Sequence, residues 1–233
     1  MNRSTADPVP QNQLRSDVAA VMDTIADEGV AIVPLDVAYA IVAATPAGVR
    51  RIFDAKERSY EKPCGMFGSS PLSRAIHVME DEKHAMVQFL VDQARLPFSV
   101  VAPFRPDHPM LSGADPFVLQ SSSKAGTLDM LINAVHFHDE IAQQSEARAM
   151  GVFGSSANTS LTGSKYRLND IDPPVLSAAD ISFDYGVSKY DNDQGYSSSI
   201  IDFEMFKVLR IGHKFVELQR VFQSEFGVTL TSA

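Results

Sequence analysis

The chain has 233 residues, 45% of them hydrophobic and 21% charged, with a formal net charge of -9. That is enough apolar material for one packed core, and it excludes collagen-like, low-complexity and disordered classes. The acidic balance, with no dense Lys/Arg run to offset it, disfavours direct binding of a nucleic acid but leaves room for a small anion met by a few focused cations. The single cysteine, Cys64, can form neither an intrachain disulfide nor a thiolate cluster, which fits a reducing, cytoplasmic setting.

In chain order, residues 1–10 are polar, carry Pro8 and Pro10 and predict a flexible arm with no apolar signal-peptide core. Leu14, Val18, Val21, Met22 and Ile25 recur at helical spacing over 11–28, and Gly29 supplies a stop. Residues 30–34 and 39–43 are short apolar runs that predict buried strands. Thr45-Pro46 is a helix start, a hydroxyl cap followed by proline at the first helical position, and Val49, Ile52 and Phe53 give that helix its apolar face. A strand is expected over 63–67, with Cys64 a core residue, then a helix over 82–94 and a strand over 98–104. The stretch 105–123, rich in Pro, Asp and Ser, predicts a loop with one short strand at 117–119. A helix follows over 137–148 and a strand over 151–154, while 164–196 has no clear pattern. Strands over 198–203 and 206–211 precede a closing helix over 216–226, stopped by Gly227. The irregular alternation predicts an α/β fold on a twisted mixed sheet, with one domain over 11–233. No apolar stretch reaches membrane-spanning length.

Three short runs could carry chemistry. Lys56, Arg58 and Lys62 cluster at a predicted helix end. Arg forks onto phosphate oxygens and Lys adds a point charge, although cations there also complement a helix dipole. Ser155, Ser156 and Asn158 lie in a Gly-Ser-Ser-Ala-Asn-Thr-Ser run at the end of a strand, a place for ligand oxygens or simply for a capped turn. Ser198 and Arg210 belong to a third run, in which an arginine interrupts an apolar strand and must snorkel, pair or bind an anion. His136 and His138, two apart on a predicted helix, diverge and have no third ligand at metal spacing, so no metal site is expected there.

Taken in order with Pro34-Leu35-Asp36-Val37-Ala38-Tyr39, these runs resemble the YrdC/YciO-like family over 29–212. That family's pattern is Pro-Thr-x-Thr-x-Tyr-Gly, Lys-x-Arg with a later Lys-Pro, Ser-x-Ala-Asn, then Ser and Leu-Arg-x-Gly. The resemblance implies an open sheet with a large concave pocket and an ATP-dependent, nucleotidyltransferase-type reaction. In it a carbamate made from bicarbonate and L-threonine attacks the α-phosphate of ATP and releases pyrophosphate, with magnesium carried by the triphosphate. The product would pass to a tRNA-modifying partner protein. Lys56 and Arg58 would be catalytic. Those two, with Lys62, Ser155, Ser156, Asn158, Ser198 and Arg210, would bind the nucleotide.

The pattern breaks where the family has Thr-x-Thr, here Leu35 and Val37, and where its Arg-x-Pro strand should fall near 130–133, which holds no arginine. Pro34, Leu35, Val37 and Tyr39 are therefore expected to line an altered substrate pocket suited to a larger or more apolar amine. A non-catalytic nucleotide- or RNA-binding module, or a different reaction on a specialised metabolite, fits the same residues. The extra C-terminal domain of longer family members is not expected.

Overall fold

The computed structural model describes residues 3–232. It begins with α1 (Gln11–Ala26), β1 (Ala31–Val33), β2 (Ala40–Ala43) and α2 (Pro46–Ala55). Thr45 caps α2, its side chain accepting from the Gly48 N–H at 3.3 Å, with proline at the first turn. Next come β3 (Gly65–Phe67), α3 (Ser70–Ile76), α4 (Asp81–Asp92) and β4 (Phe98–Pro103). The stretch expected as loop with a strand at 117–119 is instead two short helices, α5 (Pro109–Ser112) and α6 (Pro116–Ser122). Asp115 accepts from the Phe117 N–H at 2.8 Å, and Pro116 opens the helix, so local capping overrides the polar composition.

The chain continues through β5 (Ser123–Lys124), β6 (Thr127–Ile132), α7 (Phe137–Arg148) and β7 (Phe153–Ser156). A short 3-10 turn (Leu168–Asp170), α8 (Pro173–Ser177) and β8 (Ile181–Ser182) occupy the stretch without pattern. Then follow β9 (Ser199–Asp202), β10 (Lys207–Arg210), α9 (Phe215–Phe226) and β11 (Thr231–Ser232). Gly227 ends α9 at φ 65°, a left-handed position that favours glycine.

The strands form one open mixed sheet in the order β11-β10-β9-β4-β6-β3-β7-β2-β1-β8, with β5 paired to β6 at the side. Its two faces are packed differently. On the first face, Ile32, Ile41, Met66, Val100, Met130, Phe153 and Ile201 pack against α2, α3, α4, α6, α8 and α9. On the second, Ala31, Val33, Ala40, Val42 and Phe67 pack against α1 and α7. That second cover extends no further than Leu131 of β6. Beyond it, alternation along the strands turns Asp129, Ser99 and Ser198 to the second face, and a register shift between Val208 and Arg210 brings Arg210 there opposite Ile200; among the described residues no helix of the second-face cluster reaches them.

The arm expected to be flexible is fastened from Arg3 onward. Ser4 bridges Val187, the Thr5 N–H donates to Val187 O at 2.9 Å, and the Thr5 hydroxyl donates to Asp36 Oδ1 at 2.8 Å. Gly186, at φ 87°, lets Arg3 approach: a Cβ there would lie 1.9 Å from Arg3 O.

Candidate functional site

The site begins with the end of α2. Lys56 is 1% exposed, and its ammonium donates to the backbone oxygens of Ser156 and Asn158 and, at 3.5 Å, to Asn158 Oδ1. The Ser156 hydroxyl donates to the same Oδ1, and the Asn158 amide closes onto Thr159 O at 2.6 Å. Lys56 thus fastens the Ser-Ala-Asn loop from below, across a hundred residues of sequence. Asp172 holds the loop's far side, accepting from the Thr159 N–H at 2.8 Å and pairing with Lys165 at 3.4 Å. Burial, reinforced by Arg58, pushes Lys56 down to about 7. The three oxygens around Nζ act the other way, because only the charged ammonium has three protons to donate.

Arg58 curls back on its own loop, donating to Lys62 O and Pro63 O at 2.8 Å each. Arg210 donates to Ser198 O at 2.8 and 3.1 Å and to Ser198 Oγ at 3.1 Å. Both guanidiniums are pushed down by burial and pulled up by Asp129, and Arg58 also lowers Arg210, so the three groups lie within electrostatic reach of one another. Arg210 is nevertheless open to solvent.

Asp129 is held above the ordinary carboxylate range by burial, against the pull of Arg210, Ser99 and Arg58. Nothing in the motif reading singled out this residue. The available signal was one acid in Thr-Leu-Asp-Met-Leu-Ile, whose burial alternates with period two, so that the acid falls on the face opposite Leu128, Met130 and Ile132. The floor between Asp129 and the Ser-Ala-Asn loop is Gly65, which pairs with Gly154 across β3 and β7. At that position the strand pair therefore presents no side chain toward an incoming ligand.

Of the residues expected in the nucleotide site, Lys56, Arg58, Ser156, Asn158, Ser198 and Arg210 gather around this face. Lys62 is exposed and contributes its carbonyl to Arg58. Ser155 is corrected: it pairs with Ile41, whose side chain lies in the first-face core, so its side chain points away from that of Ser156. The expected substrate pocket is corrected too. Pro34 is buried, and Leu35 and Val37, each 2% exposed, pack into the core beneath α1 and α7. Tyr39 is fully buried, with its hydroxyl bonded to Asp184 Oδ1 and Gly186 O at 3.1 and 2.8 Å. Two apolar side chains in place of hydroxyls have been absorbed by packing rather than used to widen a pocket.

His138 is buried in α7 with Nε2 3.0 Å from Leu131 O, and Cys64 is a buried core thiol pushed up to about 11. A hollow of about 650 Å³ lies elsewhere, between α1, α3, α4 and α7. Its lining includes Asp92, Asp139, Glu140 and Glu146 and no lysine or arginine, the wrong chemistry for a phosphate.

No protein-family model matches the sequence, and no curated protein matches it. Solved structures do. A hypothetical protein of Streptococcus mutans superposes with a TM-score of 0.76 at 17% identity, over 100% of this chain and 99% of that one. P. abyssi Sua5 in complex with L-threonine gives 0.73 at 16% identity, over 100% of this chain and 62% of that one. E. coli YciO gives 0.54 at 15% identity, over 87% of this chain and 90% of that one. The fold is YrdC/Sua5-like. The expected fold class, an open mixed α/β sheet with flanking helices, holds, and on this YrdC/Sua5-like sheet the polar half of the second face is the candidate site. Among the described residues no helix is long and apolar enough to cross a membrane.

Proposed function

We propose that the polar half of the second face binds ATP and that the protein forms a carbamoyl-type adenylate. An amine and bicarbonate give a carbamate with loss of water. A carbamate oxygen then attacks the α-phosphate, forming a P–O bond as the bond to the β-phosphate breaks and pyrophosphate leaves. The observation that carries this reading is that Arg58, the Ser156–Asn158 loop and the Ser198–Arg210 pair, from three distant stretches, lie around one polar sheet face. Arg58 and Arg210 are the cations that face an incoming triphosphate. Lys56 lends charge from beneath the loop it fastens, and Lys62 stands at the rim. Catalysis by such a surface is positioning and neutralisation of charge.

The amine is L-threonine, which the similar Sua5 structure holds, or another amine. Leu35 and Val37 do not select it, because both are packed away. Magnesium would travel with the triphosphate, and Asp129 is the carboxylate on this face that would lie beside it. Such a cation would neutralise charge on the leaving pyrophosphate. The product would suit a tRNA-modifying partner protein.

A second reading, a nucleotide-binding module without turnover, is favoured by one observation: the Lys56 ammonium is already spent on its own loop.

Titration calorimetry with ATP and magnesium tests the binding site. Arg210→Ala should weaken binding by about tenfold or more, the loss typical of a charge-assisted phosphate contact, while thermal stability changes little. Equal affinity for both proteins removes the phosphate site. Pyrophosphate release that requires both bicarbonate and an amine separates the enzyme from the binding module.

A further inference from the structure

The N-terminal arm and the loop after β8 are tied to each other and, through a short series of contacts, to the wall of the candidate site. The Val187 N–H donates to Arg3 O at 2.8 Å, and the Thr5 N–H returns to Val187 O at 2.9 Å. Thr5, 5% exposed, uses its side chain in both directions: the hydroxyl donates to Asp36 Oδ1 at 2.8 Å and accepts from the Lys189 N–H at 3.1 Å. Asp36 is itself buried, and its other oxygen has no hydrogen-bond partner, only the Lys189 ammonium 3.9 Å away. Removing the arm therefore strips a buried carboxylate of its donor, a costly change.

From Lys189 the contacts run on toward Arg210. The Tyr190 N–H donates to Asp36 O at 3.0 Å, and the Tyr190 ring lies flat on His213, with centroids 4.3 Å apart and planes 13° from parallel. The ammonium groups of Lys189 and Lys214 face the same ring at 5.0 and 6.0 Å from its centroid. His213 in turn closes the corner that seats Arg210. Its N–H donates to Ser197 O at 2.9 Å, and the Gly212 N–H donates to Ser199 Oγ at 3.1 Å. The two stretches pass so closely that a Cβ on Gly212 would lie 2.3 Å from Ser197 O. Ser198, between those two anchors, holds the Arg210 guanidinium through its carbonyl and its hydroxyl. A free arginine gives up rotamer entropy when it presents its fork to a phosphate, and a seat fixed in advance spares part of that loss.

We propose that the N-terminal arm is a strap that positions Arg210 for phosphate, acting through Asp36, Tyr190 and His213. The inference rests on the ATP-binding reading above and adds to it a positioning residue, Tyr190, that need touch no ligand.

The test is a double-mutant cycle on magnesium–ATP affinity, read by titration calorimetry on Tyr190→Leu, Arg210→Ala and the two combined. Tyr190→Leu should weaken binding by about fivefold or more, the scale of coupling within one contact network. Tyr190→Phe, which keeps the ring, should bind within about twofold of wild type. The combined variant should bind no more weakly than Arg210→Ala alone, because nothing is left to position, whereas an unrelated structural loss would multiply with that of Arg210. Hydrogen exchange supplies a readout without nucleotide. Thr5→Val should speed exchange of the Lys189, Tyr190 and His213 amides while those of β2 stay protected, and Thr5→Ser, which keeps the hydroxyl, should not. This measurement decides the matter if Tyr190→Leu fails to fold. Losses that multiply, or His213 exchange unmoved by Thr5→Val, overturn the strap and leave the nucleotide site standing. Equal ATP affinity for wild type and Arg210→Ala overturns the reading beneath it, and the strap's role with it.

Discussion

Two halves of one sheet face have opposite chemistry although the same strands run through the same pleat. Over β1, β2 and the end of β3, the second face is Ala31, Val33, Ala40, Val42 and Phe67, roofed by Val18, Met22 and Ile25 of α1 and by Phe137 and Ile141 of α7. Over β6, β4, β9 and β10, the same face presents Asp129, Ser99, Ser198 and Arg210, and those helices do not reach it. Helix cover decides which half is core. Where a helix lies over the sheet, the strand must offer apolar side chains. Where none does, polar groups take those positions and become available to a ligand. The lesson is that a site in this fold is found by asking where the second layer stops.

The largest test of that division acts on the roofed half. Phe137 is 2% exposed, packs against Phe183 and Tyr185, and opens α7. Phe137→Ala should cost about 3–5 kcal/mol of folding stability through lost transfer energy and a residual cavity, measured by urea denaturation. ATP affinity of the folded fraction should stay within about twofold of wild type, well under the tenfold that marks a lost phosphate contact. Loss of binding in that folded fraction would show that the halves are one cooperative unit.

The same division explains what the sequence made legible. The long apolar periodicities predicted α1, α4, α7 and α9, and the short apolar runs placed β1, β2, β4, β9 and β10, because each buries a whole face. Capping signals were read at Thr45-Pro46 and passed over at Asp115-Pro116, where the surrounding Pro, Asp and Ser looked like loop. The cation and hydroxyl motifs located most of the wall of the site, since a phosphate surface needs those residue types wherever they fall. Three features stayed hidden for one reason, namely that facing depends on pairing partners far away in the chain. Ser155 and Ser156 are neighbours in sequence yet occupy opposite faces. Leu35 and Val37 sit at motif positions yet are claimed by α1 and α7. Asp129 looks like an isolated acid until β3 and β4 flank its strand.

Acid should act with opposite signs on two groups shifted by burial, one on each face. On the first face His77 is fully buried, with Nδ1 2.9 Å from the Ser73 hydroxyl and Nε2 3.2 Å from Leu128 O, and burial pushes it down to about 4. Its folded value lies below the unfolded value of 6.5, so between about 4 and 6.5 the unfolded chain binds more protons. Its contribution is complete above 6.5 and is lost as the pH falls, at up to about 1.4 kcal/mol per pH unit and about 3 kcal/mol in all. Asp129, on the second face and raised by burial, has the reverse sign: just above the ordinary carboxylate range the folded chain binds more protons, and stability there falls as the pH rises. Unfolding free energies across pH 4–7 should therefore lose slope in His77→Gln and gain slope in Asp129→Asn. Parallel curves for all three proteins would show that burial shifts neither group.

The smallest expected effect is the sharpest probe of the pleat. Ser156 shares the second face with Gly154 and donates to Asn158 Oδ1, whereas Ser155 pairs with Ile41 and turns to the α2 side. Ser156→Ala should weaken ATP binding by about 1 kcal/mol, the net worth of one hydrogen bond with its loop geometry, while Ser155→Ala should leave it unchanged. Both substitutions remove one oxygen from adjacent residues of one strand. A difference between them can therefore come only from the direction each side chain takes, and equal losses would mean that the nucleotide does not lie on the face where Arg58, Asp129 and Arg210 meet.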